Sequence, residues 1–339
     1  MRYPSVAQKT AMPFDFHHAE LETLPCDSCG SDEFTILART EKHGLPVRTV
    51  MCKRCGLIAI NPRMTRAGYD EYYRYFYRDD RSAAKGKKEA DAAVNFAAAR
   101  RFGAALARRF SAYLKPGLAI DVGSSTGGVL AGLADVVPGL TLLGIEPSVE
   151  ESAYALMRGI KTYTGLIENF NEALPPAQAI LCVQSLNHLL DPKGFFRWAF
   201  ARLAPGGHLI LSVKNFRYQV RRAGRIEAGV QIDHPFMFTP ETLCALVKSA
   251  GFGIVVLEDD EALGAQERAR RRKEGLTHHH IRIVAERPEN GVAPQSVMRQ
   301  RSPYRKLRVQ FSRPMIKLHY LLYYAQRTAL LRRLGIVKV

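Results

Sequence analysis

The chain has 339 residues, of which 47% are hydrophobic and 24% are charged. This is the composition of an ordinary globular protein of about two domains, and it excludes a wholly disordered chain, a collagen and a disulfide-rich miniprotein. The formal net charge is +17, and the last 41 residues alone contain eleven Lys or Arg and no Asp or Glu. Because the excess is concentrated in this tail, it is a weak argument that the main body binds nucleic acid.

The beginning of the chain lacks the long apolar segment of a secretory signal, and no window holds 18 uninterrupted apolar residues. Neither a secretory signal nor a membrane-spanning helix is therefore predicted. The expected location is the cytoplasm.

Two C-x-x-C pairs, Cys26 with Cys29 and Cys52 with Cys55, are separated by 22 residues. Two residues between thiolates allow one turn to present both sulfurs to a single ion, and two such turns on a hairpin complete a tetrahedron. The pattern favours a closed, structural Zn2+ site in a small ribbon over four free thiols or redox pairs. The two remaining cysteines lie in apolar runs and are predicted to be core residues: Cys182 and Cys244.

A tyrosine-rich segment follows, with Tyr69, Tyr72, Tyr73, Tyr75 and Tyr77 close together. On a helix, positions 69, 72, 73 and 76 share one face. These rings either pack against the cysteine module or line a pocket in which a base stacks. Helical spacing of apolar residues then predicts a helix over 83–114, which the Pro-Gly pair at 116–117 ends.

After residue 117, short apolar strands alternate with helices, which predicts an α/β fold with an open, mostly parallel sheet covered on both faces. The seven expected strands are Leu118–Val122, Leu140–Ile145, Lys161–Thr164, Ala179–Val183, His208–Val213, Ile254–Glu258 and His279–Ala285. The expected helices are Val129–Val137, Glu150–Arg158, Pro192–Leu203 and Pro240–Ala250.

A glycine-rich turn at 121–128 follows the first strand of this sheet and opens a helix. Such a turn presents free N–H groups to a ligand, and Glu146, at the end of the next strand, can accept hydrogen bonds from both hydroxyls of a ribose. A dinucleotide pattern requires glycine at 125, where this chain has serine. The turn therefore favours S-adenosylmethionine over a dinucleotide; the alternative is a packing turn without a ligand.

Five strings occur in a familiar order: AIDVGSSTGGVL (119–130), LLGIEPS with Glu146, VQSLNHLLDP (183–192), LAPGGHLILSV (203–213) and SAGFGIVVLE (249–258). Together they resemble class I S-adenosylmethionine-dependent methyltransferases, roughly over residues 95–286. The preceding cysteine module and tyrosine-rich segment are similar to the zinc-binding methyltransferases that modify nucleotide sugars, without the large C-terminal domain of that group. The resemblance implies a seven-stranded, Rossmann-like methyltransferase sheet.

The resemblance also implies a set of cofactor-binding residues. Leu166 and Ile167 stand where the family packs the adenine, and Gln184 and Ser185 face the methionine end. The full set is Asp121, Gly123, Ser124, Ser125, Gly127, Glu146, Leu166, Ile167, Gln184 and Ser185.

Two histidines are candidate catalytic bases for proton removal from the acceptor. His188 is expected at the carboxyl edge of the sheet, where ligands bind in open α/β folds; it alternatively only orients its loop. His234 lies in a long insert between the fifth strand and the next helix, and is a base or a substrate ligand. The run His278-His279-His280 is not predicted to bind metal, since alternate residues of a strand point to opposite faces.

Two basic segments remain. The run 268–273 is predicted to be a solvated loop, with contact to substrate phosphates as the alternative. The tail over Met315–Leu334 alternates apolar and basic residues, so a helix there can lie on an anionic membrane surface, on its own sheet or on a partner. The expected organisation is an arm (1–20), a zinc-binding module (21–64), a tyrosine-rich and helical connector (65–114), the methyltransferase domain (115–287) and a basic helical tail (288–339).

The sequence thus predicts a methyltransferase that acts on a sugar, a nucleotide sugar or another small polar or glycan acceptor. It is cytoplasmic, with peripheral contact to the inner membrane surface through the tail as a further option. The alternatives are an RNA methyltransferase, which the net charge suggests, and a non-catalytic binding module, which Ser125 and Asn187 suggest. The signatures of amino-group and cysteine-dependent nucleic-acid methylation are absent from the sequence after the fourth strand, which disfavours a nucleic-acid acceptor.

Overall fold

The computed structural model describes residues 15–76, 92–261, 263–276, 279–289 and 302–333. Predictions for Tyr77, for His278 and for part of the connecting helix (83–91) lie outside these residues. The described strands are β1 (Leu21–Glu22), β2 (Phe34–Ala38), β3 (Thr49–Cys52), β4 (Ile58–Ile60), β5 (Arg63–Met64), β6 (Gly117–Val122), β7 (Leu140–Glu146), β8 (Thr162–Thr164), β9 (Ala177–Val183), β10 (Leu203–Lys214), β11 (Phe236–Met237), β12 (Gly253–Asp259) and β13 (His280–Glu286).

The described α-helices are α1 (Arg66–Tyr75), α2 (Ala92–Arg109), α3 (Gly128–Ala134), α4 (Val149–Met157), α5 (Pro192–Arg202), α6 (Phe216–Ala223), α7 (Pro240–Ser249), α8 (Ala265–Lys273), α9 (Tyr304–Gln310) and α10 (Arg313–Arg333). Several begin at side-chain caps, for example Asp191 at α5, whose carboxylate accepts from the N–H of Gly194. No helix among the described residues is long and apolar enough to cross a membrane.

The central sheet has seven strands in the order β12-β13-β10-β9-β6-β7-β8. Strands β6 to β10 run parallel, whereas β13 runs antiparallel to both β10 and β12. The predicted α/β fold with seven strands is confirmed. The inner strands are almost continuously apolar because helices cover both faces of the sheet.

Successive residues of one strand enter two different cores, as the period of two requires. Ala119 and Leu181 face a core shared with α2 and α3, whereas Ile120 and Cys182 face the core on the other side. Cys182 is fully buried, and Cys244 packs partly buried against the same core, so both act as apolar core residues.

A second, four-stranded sheet is built around the cysteine module, in the order β11-β4-β3-β2. Its outer strand β11 comes from the insert after β10, and Phe236 pairs there with Ala59. Cys52 ends β3, and the next turn carries Cys55. This pairing ties the insert that bears His234 to the module.

The basic run at 268–273 belongs to helix α8, so the prediction of a solvated loop is wrong. Arg271 is buried and pairs with Glu258 and Glu267, and Arg270 pairs with Glu267 one turn earlier. Carboxylates at these positions neutralise the charges and support the helix. A loop would leave the Arg271 guanidinium buried without that support.

The basic tail forms α9 and α10 and rests partly on the protein itself. Leu307, Phe311 and Ile316 are buried in a core shared with the cysteine module and α6. The Tyr304 hydroxyl also hydrogen-bonds the Thr35 hydroxyl of β2 at 2.8 Å. Of the three predicted options for the tail, docking on its own chain therefore accounts for one face of it.

Candidate functional site

The four module cysteines converge. The sulfurs of Cys26 and Cys55 lie 3.5 Å apart, as do those of Cys29 and Cys52, and all four lie within 4.8 Å of one another. A tetrahedral Zn2+ with Zn–S bonds of ~2.3 Å requires sulfur separations of roughly 3.8 Å. The donor set and spacing therefore fit a closed tetrathiolate site.

Left-handed glycines close both cysteine turns. Gly30 donates its N–H to the carbonyl of Cys26 at 2.7 Å, and Gly56 donates to the carbonyl of Cys52 at 2.9 Å. Their φ angles are +70° and +78°, which an L side chain rarely adopts. The glycine after each C-x-x-C pair thus allows the turn that brings the two thiols together.

The glycine bend lies at the carboxyl ends of β6 and β7. Gly123 has φ +75°, and its N–H donates to the carbonyl of Ile145 at 2.8 Å. Gly127, with φ +76°, is the N-cap of α3. Ser125 takes φ +49° and donates its N–H to Oε2 of Glu146 at 2.8 Å. The bend and the acid predicted to bind one ligand are therefore in direct contact.

Two buried carboxyl groups lie beside this bend. Asp121 is fully buried; burial, and next the charge of Glu146, raise its pKa to about 8. Burial also raises the pKa of Glu146 to about 7, against the N–H groups of Ser148 and Ser125, which lower it. Oδ1 of Asp121 has no hydrogen-bond partner among the described residues. An orphaned buried acceptor is costly unless a ligand or water satisfies it, so the bend fits a polar ligand.

A second loop contacts the bend from β9. Gln184 follows that strand with φ +60°. Ser185 Oγ lies 3.0 Å from the carbonyl of Gly123 and 3.1 Å from that of Val183, and its one proton is shared between these two acceptors. A Cβ on Gly123 would lie 2.4 Å from Ser185 Cβ. The bend therefore requires glycine for two reasons, its backbone angle and the closeness of Ser185.

The remaining predicted cofactor residues divide between surface and core. Gly165 donates its N–H to the carbonyl of Glu146 at 3.0 Å, which places the next two residues near the acid. Leu166 is half-buried, whereas Ile167 is buried in the apolar core. Ser124 is buried within the bend, and its Oγ has no partner among the described side chains.

The two candidate bases lie together. The rings of His188 and His234 have centroids 4.5 Å apart. His188 directly follows the Ser185 loop, since its N–H donates to the carbonyl of Ser185 at 2.9 Å. Asp233 lies between them, 3.7 Å from Nδ1 of His188 and 3.9 Å from Nε2 of His234. Tyr73 completes what we call the histidine cluster: His188, His234, Asp233 and Tyr73.

Hydrogen bonds to Tyr73 assign the proton of His188. The Tyr73 hydroxyl donates to the backbone carbonyl of Asp233 at 3.1 Å and lies 2.9 Å from Nδ1 of His188. Because a tyrosine has one proton to donate, the arrangement in which Tyr73 donates to this carbonyl has His188 donating from Nδ1. Its lone pair is then on Nε2, as a general base requires.

A second chain of contacts assigns His234. Lys42, in the β2–β3 loop, donates to Oε1 of Gln231 at 2.9 Å, and Nε2 of Gln231 lies 3.3 Å from Nδ1 of His234. The lysine fixes the amide orientation, so Gln231 donates and His234 carries its proton on Nε2, toward Asp233. The side chains of His188, Asp233 and His234 are also close enough to one another to hold a metal ion. With the tautomers described above, the cluster is suited to proton transfer and hydrogen bonding.

Sequence reasoning named both histidines but assigned no specific role to four residues around them. Tyr73 was one of several equivalent tyrosines; Tyr69 and Tyr72 of the same helix are buried in the module core. Asp233 could have been suspected because it precedes His234. Gln231 and Lys42 carried no local signal. Of the His278–His280 run, His279 stacks on Tyr218 with ring centroids 4.7 Å apart, and His280 is buried.

A family model described as a methyltransferase domain matches residues 69–257, more than half of the chain. No curated protein matches.

Three solved structures are among those similar to this chain. An S-adenosylmethionine dependent methyltransferase from Mesorhizobium loti has 21% identity and a TM-score of 0.44, covering 55% of this chain and 100% of that one. One from Clostridium acetobutylicum has 13% identity and a TM-score of 0.42, covering 56% and 91%. The plantazolicin methyltransferase BpumL, in complex with SAH, has 13% identity and a TM-score of 0.47, covering 65% and 94%. Identities this low describe a likeness of fold and nothing of substrate.

Proposed function

Because the chain belongs to the family of methyltransferase domains, we propose that this S-adenosylmethionine-dependent methyltransferase methylates a sugar, a nucleotide sugar or another small glycan. The observation that carries the proposal is the 3.0 Å hydrogen bond from Ser185 Oγ to the carbonyl of Gly123. It joins the cofactor bend to the loop that bears His188. A polar cluster beside a methyl-donor site suits an acceptor rich in hydroxyl groups.

The cofactor is proposed to bind along the rim from Gly123 to Glu146. Each oxygen of the Glu146 carboxylate accepts one backbone N–H, from Ser125 and Ser148, both at 2.8 Å. A carboxylate oxygen has two lone pairs, so both retain capacity for ribose hydroxyls. Asp121 supplies the orphaned acceptor toward the methionine end, and Gly123, Ser124 and Gly127 shape the bend. Leu166 supplies apolar surface to the adenine, and Ile167, buried in the core behind it, supports that surface.

When bound, S-adenosylmethionine supplies a methyl group made electrophilic by its sulfonium, so the main task of the protein is alignment. Positioning of this kind supplies ~7–11 kcal/mol. Nε2 of His188 is proposed to take the proton from the acceptor hydroxyl or acidic carbon as that atom bonds the methyl group. Such a base contributes about 10²–10⁴-fold. Asp233, 3.7 Å from Nδ1, then stabilises the imidazolium.

His234 is proposed to bind the acceptor rather than to act as the base. With Gln231 donating to Nδ1, the proton of His234 is on Nε2, which lies 3.9 Å from Oδ1 of Asp233 and would serve as a donor there. Lys42, on the cysteine module, fixes Gln231 in turn. The module would therefore contribute to the acceptor site as well as to the scaffold.

The four cysteines are proposed to hold Zn2+ in a structural role. A closed set of four thiolates leaves no position for a water or a substrate. The ion would stabilise the hairpin whose strand β4 pairs with β11. No step of methyl transfer passes through it.

The test is transfer of a radiolabelled methyl group from S-adenosylmethionine into nucleotide sugars, glycolipids and RNA by the full chain. We expect label in a sugar-containing acceptor and none in RNA, and we expect His188→Ala to abolish the label while cofactor binding persists. Labelled RNA without any labelled sugar would contradict the acceptor class. Full activity in the His188→Ala variant would contradict the proposed base.

A further inference from the structure

Over its described side chains, up to residue 325, helix α10 contacts the protein through one face. Ile316 is buried. The ring of Tyr320 packs so closely over Gly224 that a Cβ added there would lie 2.9 Å from it. The ring of Tyr323 contacts that of Tyr218, with the ring centroids 6.4 Å apart. Positions 316, 320 and 323 follow helical spacing and so form one face. This face packs against α6, from Tyr218 in its first turn to Gly224 at its C-cap.

The opposite face of α10 is apolar and points to solvent. Leu318, Leu321 and Leu322 are 47%, 55% and 49% exposed, and Ala325 is exposed beside them. These residues have the i, i+3, i+4, i+7 spacing of a single stripe, about half a turn from Ile316. A contiguous exposed stripe of this kind marks an interaction surface more often than scattered apolar residues do.

The charged residues of the two tail helices are all positive. Among the described residues of the two tail helices, Arg305, Arg308, Arg313 and Lys317 are exposed. Residues 290–339 contain no Asp or Glu. A surface that covers the stripe must tolerate these cations at close range, which favours a negatively charged surface.

We infer that the leucine stripe of α10 (Leu318, Leu321, Leu322 and Ala325) rests on the surface of an anionic phospholipid bilayer. Apolar side chains enter the boundary between headgroups and acyl chains, while the flanking cations meet the phosphates. A second copy of the chain is a poorer occupant, because pairing the stripes brings together two tails that carry only positive charge. Attachment through α10 would hold the enzyme beside lipid-linked acceptors.

The experiment is flotation of the full chain with vesicles of phosphatidylcholine alone or mixed with phosphatidylglycerol, at low and high salt. We expect flotation only with the anionic vesicles and a loss at high salt. The triple variant Leu318→Gln, Leu321→Gln, Leu322→Gln should lower the partition coefficient at least roughly tenfold, and Lys317→Gln roughly fivefold. The matched control is Leu156→Gln with Met157→Gln, which changes an exposed apolar pair elsewhere and should float like the wild type.

Binding to anionic vesicles that the triple variant does not weaken would overturn the inference, as would no binding at all. Light scattering of the wild type and the triple variant tests self-association. If the wild type is a dimer, the triple variant is a monomer and neither binds vesicles, then the stripe is a self-association surface and the inference fails. Flotation does not require methyl transfer. A chain that binds S-adenosylmethionine but does not float would therefore count against this surface only, and not against the proposed function.

Discussion

The backbone N–H of Ser125 donates a hydrogen bond of 2.8 Å to Oε2 of Glu146. The two residues follow different strands, β6 and β7, which run parallel and end at the same edge of the sheet. Ser125 reaches the carboxylate because it adopts a left-handed backbone with φ +49°. The contact fixes the carboxylate beside the bend, where the methyl donor is proposed to bind.

The two buried acids make the ligand-free protein less stable as pH rises. The pKa of Asp121 rises from 3.8 to about 8 and that of Glu146 from 4.5 to about 7, chiefly through burial. A folded state with raised pKa values binds protons more tightly than the unfolded chain. We therefore expect the free energy of unfolding to fall between about pH 4 and pH 8, by at most ~1.4 kcal/mol per pH unit for each carboxyl.

Denaturant unfolding at several pH values measures this slope. Asp121→Asn should flatten it, whereas Asp135→Asn, at an exposed carboxylate paired with Arg100, should leave this part of the curve unchanged. An identical slope in wild type and Asp121→Asn would show that the buried acid does not titrate as argued.

Gly123→Ala should be far more costly than the same change at Gly159. Both glycines have left-handed φ angles, +75° and +79°, but a Cβ at 123 would lie 2.4 Å from Ser185, while one at 159 meets nothing within 4 Å. Gly159→Ala should cost only about 1–2 kcal/mol for its backbone. Gly123→Ala should cost about 1–3 kcal/mol more through overpacking and weaken binding of S-adenosylmethionine.

Melting temperature and calorimetric titration measure both effects. Adding Ser185→Gly to Gly123→Ala removes the clashing atoms and should restore part of the stability. Equal losses for the two alanine variants would contradict the role of the Ser185 contact.

Tyr73→Phe should lower kcat roughly tenfold, because His188 loses the acceptor that holds its Nδ1 proton. We expect the Kd for S-adenosylmethionine to stay unchanged and the pH profile of kcat to change on its acidic side, where the base is protonated. The control is Tyr75→Phe on the same helix, since Tyr75 is exposed. If Tyr73→Phe has the kcat and the pH profile of the wild type, Tyr73 does not position the proton of His188.

Cys52→Ser should abolish stoichiometric zinc and lower the melting temperature, because loss of one of four thiolates weakens a structural site strongly. Metal analysis of the purified protein and thermal unfolding test this. Cys244→Ser, which changes a cysteine outside the cluster, should keep its zinc. The same metal content in both variants would contradict the tetrathiolate site.

The features that the sequence predicted correctly are local in the chain. The turn at 121–128 lies between a buried strand and a helix, and each C-x-x-C pair forms one turn, so few residues determine each structure. The histidine cluster combines three distant segments: Tyr73 and His188 are 115 positions apart, and Lys42 and Gln231 are 189 apart. Lys42 and Gln231 meet because the cysteine module packs against the insert after β10.

Two residues show why pattern reasoning failed where it did. The basic run at 268–273 resembled a solvated loop because its buried partner, Glu258, lies in another element. Asn187, which suggested the non-catalytic alternative, donates its amide N–H to the carbonyl of Phe236 at 3.0 Å and so anchors β11.

The measurement that tests the central claim most directly is calorimetric titration of S-adenosylmethionine into the wild type and the Glu146→Gln variant. The amide keeps the size of the side chain but loses the charge and half of the acceptor capacity. We expect the Kd of Glu146→Gln to be at least about tenfold higher than that of the wild type, which corresponds to ~1.4 kcal/mol. The exposed control Glu150→Gln should keep the wild-type Kd. An unchanged Kd in Glu146→Gln would contradict a ribose-binding role for this carboxylate.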